Sequence, residues 1–216
     1  RNMLANKRMV SFSPPDISEM EIQEVAEALR SGWITTGPRT KEFERRIAAH
    51  VGVNKAVCLN SQTACAEMAL RVMGIGPGDE VITTPFTFIA TAEVMALLHI
   101  KPVFVDVEEN TFNIDVRQLE AAITPRTKAI LPVHLYGQSA DMEPLLKIAE
   151  KHGLYVVEDA CQSIGAEYIF EDGQRKMTGT MGTFGCTSFF PTKNLGCYGD
   201  GGAMFTHDAE LAKVAT

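Results

Sequence analysis

Apolar residues recur along the chain with two different periods, and the two alternate. Ile22, Val25, Ala26 and Leu29 follow helical spacing behind Ser18 and Glu21, a serine and a glutamate three apart that form a capping box, and Gly32 ends the run. A second helix is predicted from Pro38, with Phe43, Ile47 and Val51 on one side and Gly52 as its stop. Short apolar runs then alternate with amphipathic ones. Strands are predicted at 56–59, 80–83, 103–105, 129–133 and 154–157, and helices at 63–73, 90–99, 115–123 and 142–152. Beyond residue 165 the pattern changes: 171–174 reads as a hairpin or surface loop, and 183–190 and 202–206 as two closing strands.

The strand runs are continuously apolar rather than alternating, which suits strands covered on both faces. The predicted fold class is therefore α/β, a three-layer sandwich with a mostly parallel central sheet. In such sheets ligands bind beyond the carboxyl ends of the strands. Candidate chemistry is accordingly expected in the segments that follow each strand.

Composition narrows the options. With 216 residues, 45% of them hydrophobic, the chain can bury a large core, and a formal net charge of -7 argues against a nucleic-acid or anionic-membrane surface. The first eight residues lack the apolar core of a signal peptide, and the apolar stretch 88–100 is too short to span a bilayer and is broken by Glu93. The expectation is a soluble, cytoplasmic protein. Five cysteines, Cys58, Cys65, Cys161, Cys186 and Cys197, show neither a CxxC pair nor zinc-type histidine spacing, so they read as reduced thiols and no metal site is expected. Cys161 lies beside Glu158 and Asp159 without a neighbouring cation in sequence, so it reads as buried filler rather than a nucleophile.

Seven features gather at predicted strand ends. Asn60-Ser61-Gln62-Thr63-Ala64 joins a strand to a helix, either as an ordinary cap by Ser61 or with outward N–H groups that favour a phosphate. Ser188 ends another strand and offers a hydroxyl. Asp159 ends the run Tyr155-Val156-Val157-Glu158, as a loop carboxylate or as the partner of a protonated ring nitrogen. Gln162 bonds a ligand or its own loop, Phe88 stacks on a planar ring or sits in the core, and His134 reads as a satisfied structural histidine. Lys193, in Ser188-Phe189-Phe190-Pro191-Thr192-Lys193-Asn194-Leu195, lies between an apolar strand and the run Gly199-Asp200-Gly201-Gly202. A lysine for a Schiff base, a carboxylate for a pyridinium, an aromatic for stacking and a helix start plus hydroxyl for a phosphate together describe pyridoxal 5'-phosphate.

The segments 32–38, 60–64, 85–91, 134–137, 158–163 and 188–202, in that order, resemble the DegT/DnrJ/EryC1/StrS family of sugar aminotransferases, whose fold is the aspartate-aminotransferase (type I) fold. The resemblance implies that Lys193 binds pyridoxal phosphate covalently, Asp159 pairs with its ring nitrogen, Gln162 contacts its ring hydroxyl and Phe88 stacks on it. It further implies that Thr63, Ala64 and Ser188 hold the phosphate and that Trp33, Thr35, Thr36 and Gly37 approach the sugar. The implied reaction moves an amino group from a donor, glutamate, to a keto group of a nucleotide-linked sugar, for amino-sugar and surface-polysaccharide synthesis, in a homodimer with a shared active site. One departure is Asp200, where the family commonly has glutamate. A dehydrating branch of the family carries histidine in place of the lysine, so Lys193 favours transamination. Members also carry a further C-terminal domain, so residues 1–216 are expected to be an N-terminal segment plus the cofactor-binding large domain, and a non-catalytic fragment or regulatory module is the alternative reading.

Overall fold

A computed structural model describes residue 11 and residues 14–215 of the chain. It divides into two compact units, 1–37 and 38–216, each described by itself. In the first, helix α1 (Glu19–Arg30) carries the predicted capping box: Ser18 accepts from the Met20 amide, and Glu21 accepts from the Ser18 amide at 2.6 Å. None of its residues is buried within the described chain, so capping and first-turn acids rather than burial define its start.

The second unit alternates as the hydrophobic pattern predicts. Its elements are α2 (Pro38–Val51), β1 (Lys55–Leu59), α3 (Gln62–Val72), β2 (Glu80–Thr83), α4 (Ala90–Leu97), β3 (Lys101–Phe104), α5 (Leu119–Ala122), β4 (Thr127–Ile130), α6 (Met142–His152), β5 (Tyr155–Asp159), β6 (Glu167–Ile169), β7 (Arg175–Met177), β8 (Phe184–Ser188), β9 (Gly202–Thr206) and α7 (Ala209–Val214). Seven strands form one sheet in the order β1-β9-β8-β5-β4-β2-β3, and β6 and β7 form a separate hairpin. Only β9 runs against its neighbours in the large sheet, so six strands deliver their carboxyl ends to one edge.

Successive strand residues feed opposite layers. Val57, Val81, Ala129, Val157 and Met204 pack with Cys65, Leu70, Val94 and Met95 of α3 and α4. Their sequence neighbours Ile82, Ile130 and Val156 pack with Leu119, Met142, Leu145 and Ala149, and Ala56 and Phe205 pack with Ile47, Ala48 and Val51 of α2. This two-sided burial is why the strands read as unbroken apolar runs. Among the described residues no helix is long and apolar enough to cross a membrane.

Three local expectations change. The helix expected over 115–123 is a 3-10 turn (Val116–Gln118) followed by the single turn α5. Asp115 caps Arg117 as predicted, but Ile123 turns extended two residues before Pro125, whose ring disfavours helix at Thr124. The edge strand β3 begins at Lys101, not Val103, because its register pairs Lys101 with Glu80 and Phe104 with Thr83. Helix α7, capped by Asp208 accepting from Glu210 and Leu211, follows β9 where no element was predicted.

At the sheet edge away from the strands' carboxyl ends, the buried Glu80 carboxylate accepts from Thr124 Oγ1 at 2.6 Å, Arg126 at 2.7 Å and Lys101 Nζ at 3.1 Å. These donors, the Thr124 hydroxyl first, hold the Glu80 carboxyl down at about 2, against an ordinary 4.5. A folded value below the unfolded one means that the stabilisation is complete above 4.5 and fades as pH falls through about 2. Glu80→Gln is expected to lower the thermal midpoint at pH 7. The gap from wild type should close in melting curves taken stepwise from pH 5 to pH 2, and a gap that widens on acidification would contradict the assignment.

Candidate active site

Five connections at the carboxyl edge of the sheet converge on one cleft. Its deeper part, about 60 Å³, is lined by Gln62, Thr87, Thr91, Asp159, Gln162 and Lys193, among others. Its outer part, about 430 Å³, is lined by Ser61, Thr63, Ser188, Phe190, Asp200 and Gly201, among others. Gln62, Phe88, Cys161 and Lys193 line both.

Asp159 is the last residue of the central strand β5, and its carboxylate is 5% exposed at the floor. One oxygen accepts from Thr91 Oγ1 at 2.9 Å and the other from the Cys161 amide at 3.2 Å. Gln162 follows in the same turn; its Oε1 accepts from the Tyr136 amide at 2.8 Å, which leaves the side-chain NH₂ as the group free to donate. Tyr136 presents that amide from a left-handed conformation, φ 56°.

Lys193 is half-buried on the loop that leaves β8. The loop is stapled at several points: Phe189 N–H donates to Gly201 O, Cys197 N–H to Phe189 O, Lys193 N–H to Phe190 O and Asn194 Nδ2 to Ile164 O. Burial, then the Asp159 carboxylate, pushes the Cys161 thiol well up, with the Lys193 ammonium pulling weakly the other way. Cys161 therefore stays protonated, but it is a half-buried wall residue of the cleft rather than the buried filler its sequence context predicted. All five cysteines are free, and burial likewise raises Cys58, to about 12, and Cys65 and Cys186.

The start of α3 forms the outer wall. Ser61 caps it by accepting from the Ala64 amide at 3.1 Å, so of the expected phosphate donors Ala64 is engaged and absent from the lining, while Gln62 and Thr63 line the cleft. The cap thus occupies the Ala64 amide, while the two preceding residues of the helix start face the cleft. Ser188 Oγ, at the same wall, accepts from the Phe190 amide at 3.2 Å. Gly202 makes the wall possible: a Cβ there would lie 2.4 Å from the Ser61 carbonyl carbon and 2.5 Å from the Gln62 nitrogen. Phe88 is 77% exposed at the rim rather than in the core, which leaves its face open to a planar ring.

Trp33, Thr35, Thr36 and Gly37 belong to the first unit, where Trp33 Nε1 donates to Thr36 O at 3.1 Å and Gly37 packs so closely under the indole that a Cβ would lie 2.1 Å from it. Thr87 and Thr91 line the cleft without having been singled out, beside Gln62 of the expected helix start. The signal for the two threonines was present as hydroxyls four residues apart, directly after a strand and around Phe88. His134 is the buried structural histidine expected. Its Nδ1 accepts from the Ala140 amide at 3.0 Å, so the ring proton sits on Nε2 and is donated to Glu158 at 2.8 Å.

Comparison with known proteins gives a consistent picture. A model of the DegT/DnrJ/EryC1/StrS aminotransferase family matches residues 15–216. The spore coat polysaccharide biosynthesis protein SpsC of Bacillus subtilis is 49% identical over 201 residues, 93% of this chain and 50% of that protein. The UDP-2-acetamido-2-deoxy-3-oxo-D-glucuronate aminotransferase of Pseudomonas aeruginosa is 50% identical over 188 residues, 87% of this chain and 51% of that one. The PLP form of the putative sugar aminotransferase Spr1654 from Streptococcus pneumoniae superposes with a TM-score of 0.88 at 38% identity, over 95% of this chain and 56% of that one. The chain thus spans about half the length of the curated relatives it matches.

Two substitutions test the frame of the cleft. Gly202→Ala is expected to destabilise the protein by about 2 kcal/mol or more, since backbone has to move to admit the methyl group. Amide exchange should then rise first at Gln62 and Thr63, and an unchanged exchange pattern would contradict the close approach. Glu158→Ala strands buried donors from His134, Gly179, Met181 and Gly182 and should cost about 3 kcal/mol or more in urea unfolding.

Proposed function

The chain belongs to the DegT/DnrJ/EryC1/StrS aminotransferase family, and from that premise we propose that it carries the cofactor-binding part of a pyridoxal-phosphate-dependent nucleotide-sugar aminotransferase. The observation that carries the reading is the joint presence, in one cleft, of Lys193, Asp159, Gln162, Phe88, Ser188 and the first turn of α3. The donor set fits the cofactor group by group. A buried carboxylate suits a protonated ring nitrogen, the free NH₂ of Gln162 a ring oxygen, the exposed face of Phe88 the ring itself, and the Gln62 and Thr63 amides with Ser188 Oγ a phosphate.

When bound, pyridoxal phosphate supplies an electron sink that labilises a C–H bond next to an amine. The protein's own groups do the rest. Lys193 Nζ would hold the cofactor through its carbonyl carbon and, as a neutral amine, would be the base within the cleft that removes and returns a carbon-bound proton. Asp159 would hold a proton on the ring nitrogen by its negative charge, and Thr91 and the Cys161 amide orient that carboxylate. Phe88 and Phe190 offer apolar surface to a bound ring at the rim of the cleft.

The amino donor in this reading is glutamate and the acceptor a keto group of a nucleotide-linked sugar, in line with the sugar aminotransferases among the relatives. Trp33, Thr35, Thr36 and Gly37 are proposed to approach the sugar. The reading includes a second copy that completes the phosphate site and a cytoplasmic location, in keeping with five free thiols. The amine-bearing Lys193 favours transamination over dehydration.

The test is a visible spectrum of the intact protein with pyridoxal phosphate before and after L-glutamate. The cofactor band should shift on glutamate addition in wild type, and Lys193→Ala should lose both the covalently bound band and turnover, by roughly 10³-fold or more. A bound band that glutamate leaves unchanged would favour a regulatory module instead, and no bound chromophore at all would refute the reading.

A further inference from the structure

We propose that Thr91 is a positioning residue that aims the Asp159 carboxylate at the cofactor's ring nitrogen, with Thr87 as the outer member of the same hydrogen-bond chain; this rests on the cofactor reading above. Thr91 is 1% exposed and stands in the first turn of α4. That helix follows β2, which is separated from β5 in the sheet by β4, so its hydroxyl reaches Asp159 from a different layer. Thr91 Oγ1 donates to Asp159 Oδ2 at 2.9 Å. A hydroxyl has one proton, and the carboxylate takes it, so the 2.9 Å contact between Thr87 and Thr91 runs with Thr87 as donor. The chain is therefore directional, from Thr87 through Thr91 to the carboxylate.

Three features make this more than incidental packing. The other Asp159 oxygen accepts the longer bond from the Cys161 amide, 3.2 Å, so Thr91 provides the shorter of these two restraints on the carboxylate. The α4 start has no side-chain cap at Ile89, so its hydroxyls are spent on the cleft rather than on the helix. Thr91 N–H also donates to Phe88 O at 3.1 Å, so the residue placed to stack on the ring and the residue that orients its nitrogen partner share a single turn. Ring plane and nitrogen position are thereby set by one rigid piece of backbone, anchored through buried Ala90, Val94 and Met95.

The experiment compares two ligands that differ only at the ring nitrogen, pyridoxamine 5'-phosphate and its 1-deaza analogue, each titrated into the intact protein. Thr91→Val should weaken pyridoxamine phosphate by about tenfold, the scale of one hydrogen bond to a charged group, and leave the deaza analogue unchanged. Thr91→Ser should restore most of the loss, and Thr87→Val should show a smaller loss of the same kind. Equal weakening of both ligands, or of neither, would overturn the role. Wild-type protein that binds neither ligand would overturn the cofactor reading and the role with it. If Thr91→Val does not fold, Thr91→Ala carries the same two-ligand comparison.

Discussion

Glu158 lies at the centre of the large sheet, fully enclosed, with donors converging on both its oxygens: the amides of Gly179, Met181 and Gly182 and the Nε2 proton of His134. A buried carboxylate is tolerable only with such complete satisfaction. The four donors come from the turn before β8 and from the segment after β4, the two neighbours of β5. One side chain thus fixes three adjacent strands relative to each other. The next residue, Asp159, points the opposite way by the pleat of the strand and inherits that fixed position at the floor of the cleft. The site's acid is precise because its neighbour is structural.

Close backbone approach is the second constraint. Gly202 lies against Ser61 and Gln62, Gly185 against Gly179 and Gly182 against Val156, with virtual Cβ contacts of 2.4, 1.9 and 2.6 Å. The first brings β9 against the start of α3 at the edge where Ser188 and Thr63 line the cleft, and the other two pack β8 and the turn before it against each other and against β5. The Gly-Asp-Gly-Gly run after Lys193 therefore serves packing as much as loop flexibility. Phe189 and Cys197 add the hydrogen bonds that close the Lys193 loop onto that glycine-rich return.

Much of this was legible in residue order. The strands at Glu80–Thr83 and Gly202–Thr206 and the helix Met142–His152 match their predicted bounds, because each combines a clear period with a stop or cap next to it. The expected helix at 115–123 shortened because Asp115 and Pro125 act locally and oppose each other across too few residues to sustain one. Lys193, Asp159, Gln162, Phe88 and Ser188 were readable because each follows an apolar strand. Thr91 and the Glu158–His134 pair were not, since their roles lie in partners 68 and 24 residues away.

The sequence by itself determined the class of the fold and the family. Period, caps and the residue types after each strand are local properties, and they carried the alternating architecture and the family resemblance. Only the tertiary structure decided which of those residues share one cleft, that Ala64 spends its amide on Ser61 while Gln62 and Thr63 line the wall, and that Phe88 faces outward. Those outcomes depend on strand order and on hydrogen bonds between distant segments. No local pattern encodes them, because the sheet places next to each other strands that lie far apart in the chain.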